Sequence, residues 1–263
     1  MRTPQERTIL AGDYTVRVLE AGQGEPLLFL HNAMGAGLWT EGMDRLAEHF
    51  HVFLPDHPGF GPSPLPDWLR GMDDLIFHYL DVLDALGLQD PVRIAGASLG
   101  GWIGAEFAAF HPERVKNLVL IDAAGLRIPE LPLPDVFRIA PEALLPLVFH
   151  DISKAVAVMP KEFSVDTLIQ IFHDRTAFAR LAWHPYLHDP KLPRRLRYAT
   201  APTLLVWGKQ DAIIPPAYAE EYKRLLPAAQ VAYIDACGHD PTVEQPETFA
   251  QVAIDFLRYA QNE

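Results

Sequence analysis

Val92-Arg93-Ile94-Ala95-Gly96-Ala97-Ser98-Leu99-Gly100 joins an apolar run, a serine between two glycines and the start of a helical pattern. A serine placed in this way sits on a sharp strand-to-helix turn that lifts its hydroxyl above the edge of a sheet. Its neighbours must be small, because strand and helix approach closely there. The following residues, 99–110, read as a helix, with Gly101, Gly104 and Ala105 small enough for close packing and Trp102, Ile103 and Phe107 supplying apolar bulk. This order of strand, serine and helix separates a nucleophile elbow from a chance G-x-S-x-G.

Outward from the elbow, short apolar runs alternate with helical patterns, which predicts a mostly parallel sheet with helices on both faces. Upstream lie strands at 27–30 and 52–54 and helices at 39–49 and 73–86, the second ended by Gly87. Residues 8–10 and 14–19, joined at Gly12-Asp13, read as an antiparallel hairpin at the sheet edge. Downstream come strands at 118–121, 203–207 and 231–234 and helices at 217–226 and 246–259.

The alternation breaks over residues 126–200. That stretch holds Pro129, Pro132, Pro134, Pro141 and Pro146, then Phe163, Leu168, Ile169, Phe172, Phe178 and Leu181 at helical spacing. A small helical cap is expected there, over the elbow, where it excludes water and shapes an apolar pocket. The plainer reading makes these aromatics the cap's own core. The domain expectation is a core of residues 1–125 and 201–263 with a cap of 126–200.

At 263 residues, 49% hydrophobic and 21% charged, the chain has the makings of one globular domain with an insertion rather than a disordered or fibrous protein. A net charge of −12 weighs against nucleic acid or an anionic membrane as partner, since both need basic patches. Cys237 is the single cysteine, so no intrachain disulfide can form. Neither a signal-like apolar segment near Met1 nor a run of membrane length is present, and the expected location is cytoplasmic.

A serine hydroxyl needs a base, and the base needs an orienting carboxylate. Among 11 histidines, His239 stands out, because Cys237-Gly238-His239-Asp240-Pro241 follows a strand that ends at the same sheet edge as Ser98. His184 and His188 have a helical metal-ligand spacing, but Pro185 lies between them and no third ligand is evident, so no metal is expected. Two carboxylates follow strands, Asp122 and Asp211. Asp211 is favoured, because its loop neighbours that of His239 and the chain order becomes Ser, Asp, His. An oxyanion hole requires two N–H donors: Leu99, which opens the helix, and one from His31-Asn32-Ala33-Met34-Gly35, with Ala33 preferred over Met34.

With these residues in place, the chain resembles the α/β-hydrolase family, in its cap-bearing esterase-like and C–C hydrolase-like branch. The resemblance rests on His31-Asn32-Ala33-Met34-Gly35, Pro55-Asp56-His57-Pro58-Gly59-Phe60-Gly61-Pro62-Ser63, the elbow, Gly208-Lys209-Gln210-Asp211, and Gly238-His239 with Pro241 and Glu244. It implies an eight-stranded, mostly parallel sheet flanked by helices, with a helical cap after the sixth strand. It also implies a Ser98, Asp211 and His239 triad without metal or organic cofactor, and a pocket-shaping role for residues 56–63. Asn32 stands where members commonly have glycine, a departure that matters if the backbone there takes a positive φ, and asparagine tolerates that conformation best.

Relatives with dehalogenase or epoxide hydrolase activity carry aspartate at the nucleophile position, which Ser98 argues against. C–C hydrolases often have a polar aromatic residue after the histidine, whereas Asp240-Pro241-Thr242 follows here. The expected activity is that of a serine esterase on small to medium carboxylic esters. The alternatives are C–C bond hydrolysis of vinylogous diketone acids, with Arg127, Arg175 or Arg180 binding the anion, and a non-catalytic ligand receptor on the same scaffold. Candidate pocket residues are Asn32, Met34, Trp102 and Trp183, with Trp39 and Tyr186 as further candidates for the lining. The partner is a small-molecule ester, and oligomeric state is left open.

Overall fold

The apolar runs at 27–30, 52–54, 92–97, 118–121 and 203–207 become strands buried on both faces, as a parallel sheet covered by helices requires. The structure is a computed structural model that describes residues 1–159 and 164–259. The strands are β1 (Gln5–Ala11), β2 (Tyr14–Ala21), β3 (Pro26–Leu30), β4 (His51–Pro55), β5 (Val92–Ala97), β6 (Val115–Ile121), β7 (Thr203–Gly208) and β8 (Gln230–Ile234). They form one 8-stranded sheet in the order β1-β2-β4-β3-β5-β6-β7-β8. The hairpin β1–β2 and the β2–β4 pair are antiparallel, and the pairs from β4 to β8 are parallel. At the hairpin turn Gly12 has φ +61°, the left-handed region that glycine enters without strain.

Helices α1 (Glu41–Leu46), α2 (Met72–Ala85), α3 (Leu99–Phe110), α7 (Ala217–Leu225), α8 (Pro241–Glu244) and α9 (Pro246–Tyr259) belong to the connections of the sheet. Between β6 and β7 run α4 (Pro141–Val148), α5 (Val165–Ala182) and α6 (Leu192–Arg195), with short 3₁₀ turns but no strand among the described residues. The core lies in two layers. On one side Leu28, Leu30, Ile94, Leu118, Leu120 and Leu205 back onto Leu75, Ile103 and Phe107, and on the other Leu27, Phe29, Val119 and Val206 meet Met43, Phe249 and Leu257.

Helix α1 is shorter than the predicted 39–49. Thr40 accepts a hydrogen bond from Met43 N at 3.3 Å and so caps the N-terminus, which leaves Trp39 outside the helix as a buried anchor. Phe163 lies outside the described residues. Leu168, Ile169 and Phe172, predicted on a packed face, are instead 52, 49 and 70% exposed. The inward face of α5 is chosen by Gln170 and Asp174, which bond Gly61 O at 2.6 Å and Gly61 N at 3.0 Å.

Candidate active site

Strand β5 ends at Ala97 and α3 begins at Leu99, so Ser98 alone makes the turn. Its φ of 52° and ψ of −109° are strained for a side chain with a β-carbon. Hydrogen bonds hold it there: Ser98 N donates to Ile121 O at 2.9 Å, and Ser98 O accepts from Trp102 N at 3.0 Å and Ala124 N at 3.1 Å. A β-carbon on Gly96 would overlap the Gly100 backbone, and one on Gly100 the carbonyl of Leu30. The glycines are thus fixed by the closeness of β3, β5 and α3.

The parallel strands deliver the other two groups to the same edge. Past β7, Asp211 Oδ1 accepts from Ile213 N at 2.8 Å and Ile214 N at 2.9 Å, which leaves Oδ2 to accept from His239 Nδ1 at 2.7 Å. His239 Nε2 then lies 2.9 Å from Ser98 Oγ and is the acceptor of its hydroxyl proton. The histidine loop is braced from outside the sheet. His239 N donates to Val148 O at 2.6 Å, and Glu244 takes Gly238 N at 2.5 Å on one oxygen and Asp151 N at 2.8 Å on the other. The C-terminal end of α4 therefore supports the histidine directly, and the segment after it does so through Glu244.

Asp122, the other acid considered from sequence, does not meet His239 in a hydrogen bond. Its Oδ1 accepts from Gly208 N at 2.9 Å, and its carboxyl faces that of Asp211. Burial and the nearby Asp211 push Asp122 well above the usual carboxylate range, so it is the member of the pair that keeps a proton. Burial works against protonated His239, but the charge and hydrogen bond of Asp211, with the charge of Asp240, outweigh it and raise its pKa above 6.5. Asp122, Asp211 and His239 are the one trio of potential metal ligands within reach of a common ion among the described residues, and both ring nitrogens of His239 are already engaged. His184 and His188 belong to no such trio.

The loop after β3 is oriented by two neutral histidines. His57 Nε2–H donates to His31 O at 2.8 Å, Tyr79 donates to His57 Nδ1, and His57 N donates to His31 Nε2 at 3.0 Å. His31 Nδ1–H donates to Asn32 O at 2.6 Å. Burial lowers His31 to about 4 and His57 further below its ordinary value, so this pattern holds at neutral pH. Asn32 O is also bonded by Gly35 N at 3.1 Å. In a trans peptide the next N–H points the opposite way, so Ala33 N–H is turned from these partners while Met34 N is spent on Asn32 Oδ1 at 2.9 Å. Asn32 lacks a positive φ and so is not strained. Its amide donates to Asp240 Oδ2 at 3.2 Å, bridging this loop to the histidine loop.

A cavity opens on Ser98 and His239, walled by Val136, Leu144, Val148, Phe178, Leu187, Ile213 and Ile214, with Asn32, Ala33 and Met34. Asn32 and Met34 are at its wall; Trp102 is buried beneath Gly125, and Trp183 is 57% exposed beside Phe137. Trp39 and Tyr186 also lie off the wall, the first in the core and the second bonded to Pro134 O. The aliphatic wall escaped the sequence reading because leucine, isoleucine and valine in loops carry the same signal as core. Arg175 bonds Phe137 O at 3.3 Å, Arg180 lies 3.5 Å from Pro66 O and Arg127 is exposed, so none of the three enters the cavity.

The chain matches the model of the alpha/beta hydrolase family over residues 27–252 and belongs to that family. It is 32% identical to a 2-hydroxy-6-oxo-6-(2'-aminophenyl)hexa-2,4-dienoic acid hydrolase of Metapseudomonas resinovorans, across 96% of this chain and 90% of that protein. A pimeloyl-[acyl-carrier protein] methyl ester esterase of Aeromonas salmonicida is 28% identical, across 92% of this chain and 99% of that protein. Among solved structures, a membrane phospholipase A superposes with a TM-score of 0.83 at 27% identity, covering 99% of this chain and 88% of that chain.

Proposed function

We propose that this protein is a serine hydrolase that cleaves small to medium, uncharged carboxylic esters through an acyl-enzyme on Ser98. The observation that carries the reading is the unbroken relay from Asp211 through His239 to Ser98 at the mouth of an aliphatic cavity. His239 Nε2 takes the Ser98 proton as Oγ attacks the ester carbonyl, and Asp211 holds the imidazole in the required tautomer. The N–H groups of Leu99 and Ala33 receive the negative charge that develops on the carbonyl oxygen. His239 returns its proton to the departing alcohol. It then deprotonates a water that attacks the acyl carbon, releasing the acid and restoring Ser98. Residues 126–200 act as the cap, supplying Val136, Leu144, Val148, Phe178 and Leu187 to the substrate wall.

C–C hydrolysis of a dienoate is favoured by the resemblance to the Metapseudomonas enzyme. The electrostatics of the site favour the ester. Asp211, Asp240 and Glu244 are buried around His239, and no arginine or lysine lines the cavity among the described residues. A carboxylate-bearing substrate would enter a field of its own sign without a counter-ion. The test is a paired assay of 4-nitrophenyl esters of increasing acyl length and a ring-fission dienoate, with wild type and Ser98→Ala. Turnover of the esters, lost in Ser98→Ala with the fold intact, is expected. A higher kcat/KM for the dienoate transfers the assignment to C–C hydrolysis. Unchanged ester turnover in Ser98→Ala removes the nucleophile, and ligand binding without turnover makes the protein a receptor.

A further inference from the structure

Helix α5 buries Ala177, Leu181 and Ala182 in its second half but leaves an apolar stripe of its first half in solvent. Gln170 and Asp174 point inward to the Gly61 backbone, while Val165, Leu168, Ile169 and Phe172 follow the i, i+3, i+4, i+7 pattern of one helix face and are 49 to 72% exposed. Trp183, five turns from Val165, continues the same stripe at 57% exposure. A solvent-facing helix normally places charged residues there. Over a helix of about 27 Å, the five side chains present on the order of 500 Å² of apolar surface, at the upper end of the largest patch a typical monomer exposes, a size that is often functional.

We propose that this stripe is a two-fold interface in which α5 of one copy packs antiparallel on α5 of a second copy. Two observations choose this occupant. Asp166 in the first turn and Arg180 in the last are both exposed and lie seven residues either side of His173, 14 residues apart and therefore on the same flank of the stripe. In an antiparallel pair like flanks meet, so a two-fold axis at His173 sets Asp166 of each copy opposite Arg180 of the other, and the helix dipoles also oppose. The area agrees as well, since two copies together bury about 1,000 Å², the lower bound for a specific interface. An interfacial lipid-binding helix would instead carry a face rich in lysine and arginine, whereas α5 balances its arginines with Asp166 and Asp174 in a chain of net charge −12. Because α5 also lends Phe178 to the cavity, pairing fixes one wall of the site.

Sedimentation velocity on the whole chain tests this, comparing wild type with Phe172→Glu, Asp166→Arg, Arg180→Asp and the double reversal. Circular dichroism and thermal melting serve as checks on folding. The expected result is a wild-type dimer, a folded monomer for Phe172→Glu, a Kd weakened about tenfold or more by either charge reversal, and recovery in the double variant. A monomeric wild type, a dimer that survives Phe172→Glu, or a dimer indifferent to the charge reversals overturns the proposal. So does a monomer whose Phe172-dependent binding to phosphatidylcholine vesicles assigns the stripe to lipid.

Discussion

The carboxyl of Asp122 is buried against that of Asp211, and a proton on Asp122 lets one acid donate to the other. A neutral Asp122 sets no like charge beside Asp211, whose Oδ2 holds His239. The same proton fixes a pH dependence. Asp122 has a folded pKa well above 3.8, so between these values the folded state binds more protons than the unfolded one, and stability falls as pH rises through that window. An amide at this position keeps the acceptor for Gly208 N and a donor for Asp211 without the charge. Asp122→Asn is therefore expected to melt above wild type at pH 8, with the gap closing toward pH 4, near the carboxyl's unfolded value of 3.8. Thermal melts across that range check it, and a variant less stable at pH 8 contradicts it. Asp240 plays a different part, tying the loop of Asn32 to the histidine and adding to the field that raises His239.

Within α3, the glycines divide into those the fold requires and one it does not. A β-carbon on Gly100 would overlap the Leu30 carbonyl, whereas one on Gly104 would meet side-chain carbons of Leu118, Ile94 and Leu30 at 3.4 to 3.7 Å, ordinary contact distances. Gly100→Ala should cost about 4 kcal/mol or more, or prevent folding, because the colliding atom is backbone. Gly104→Ala should be neutral or stabilise by about 0.5 to 1 kcal/mol through lower unfolded-state entropy and better helix propensity. Urea unfolding of both separates the two, and equal effects would contradict the geometry. The sequence carried the elbow because its signals are local: an apolar run, a serine and small residues at fixed spacing. It carried the period of α5 but not its orientation, since only the distant backbone of Gly61 turns Gln170 and Asp174 inward. For the same reason the sequence does not reveal that Met34 N is engaged by Asn32 Oδ1, a bond set by the fold of the loop.

At the scale of the whole molecule, the sheet and the helical insertion divide the work. Parallel strands bring three loops from positions 98, 211 and 239 to one edge, and the insertion both walls the cavity and braces His239 through Val148 and Glu244. Val148 serves both ends, lining the cavity and bonding His239 N, and a wall assembled by such distant packing is not legible as a pattern. All of it bears on one claim, that Ser98 Oγ becomes acylated. The direct measurement is rapid acid quench of the enzyme during turnover of a 4-nitrophenyl ester, followed by peptide mass mapping. The account predicts the mass of the acyl group on the peptide containing Ser98, and no adduct in Ser98→Ala. Steady product release with Ser98 unmodified at every quench time, and an equally active Ser98→Ala, would contradict it.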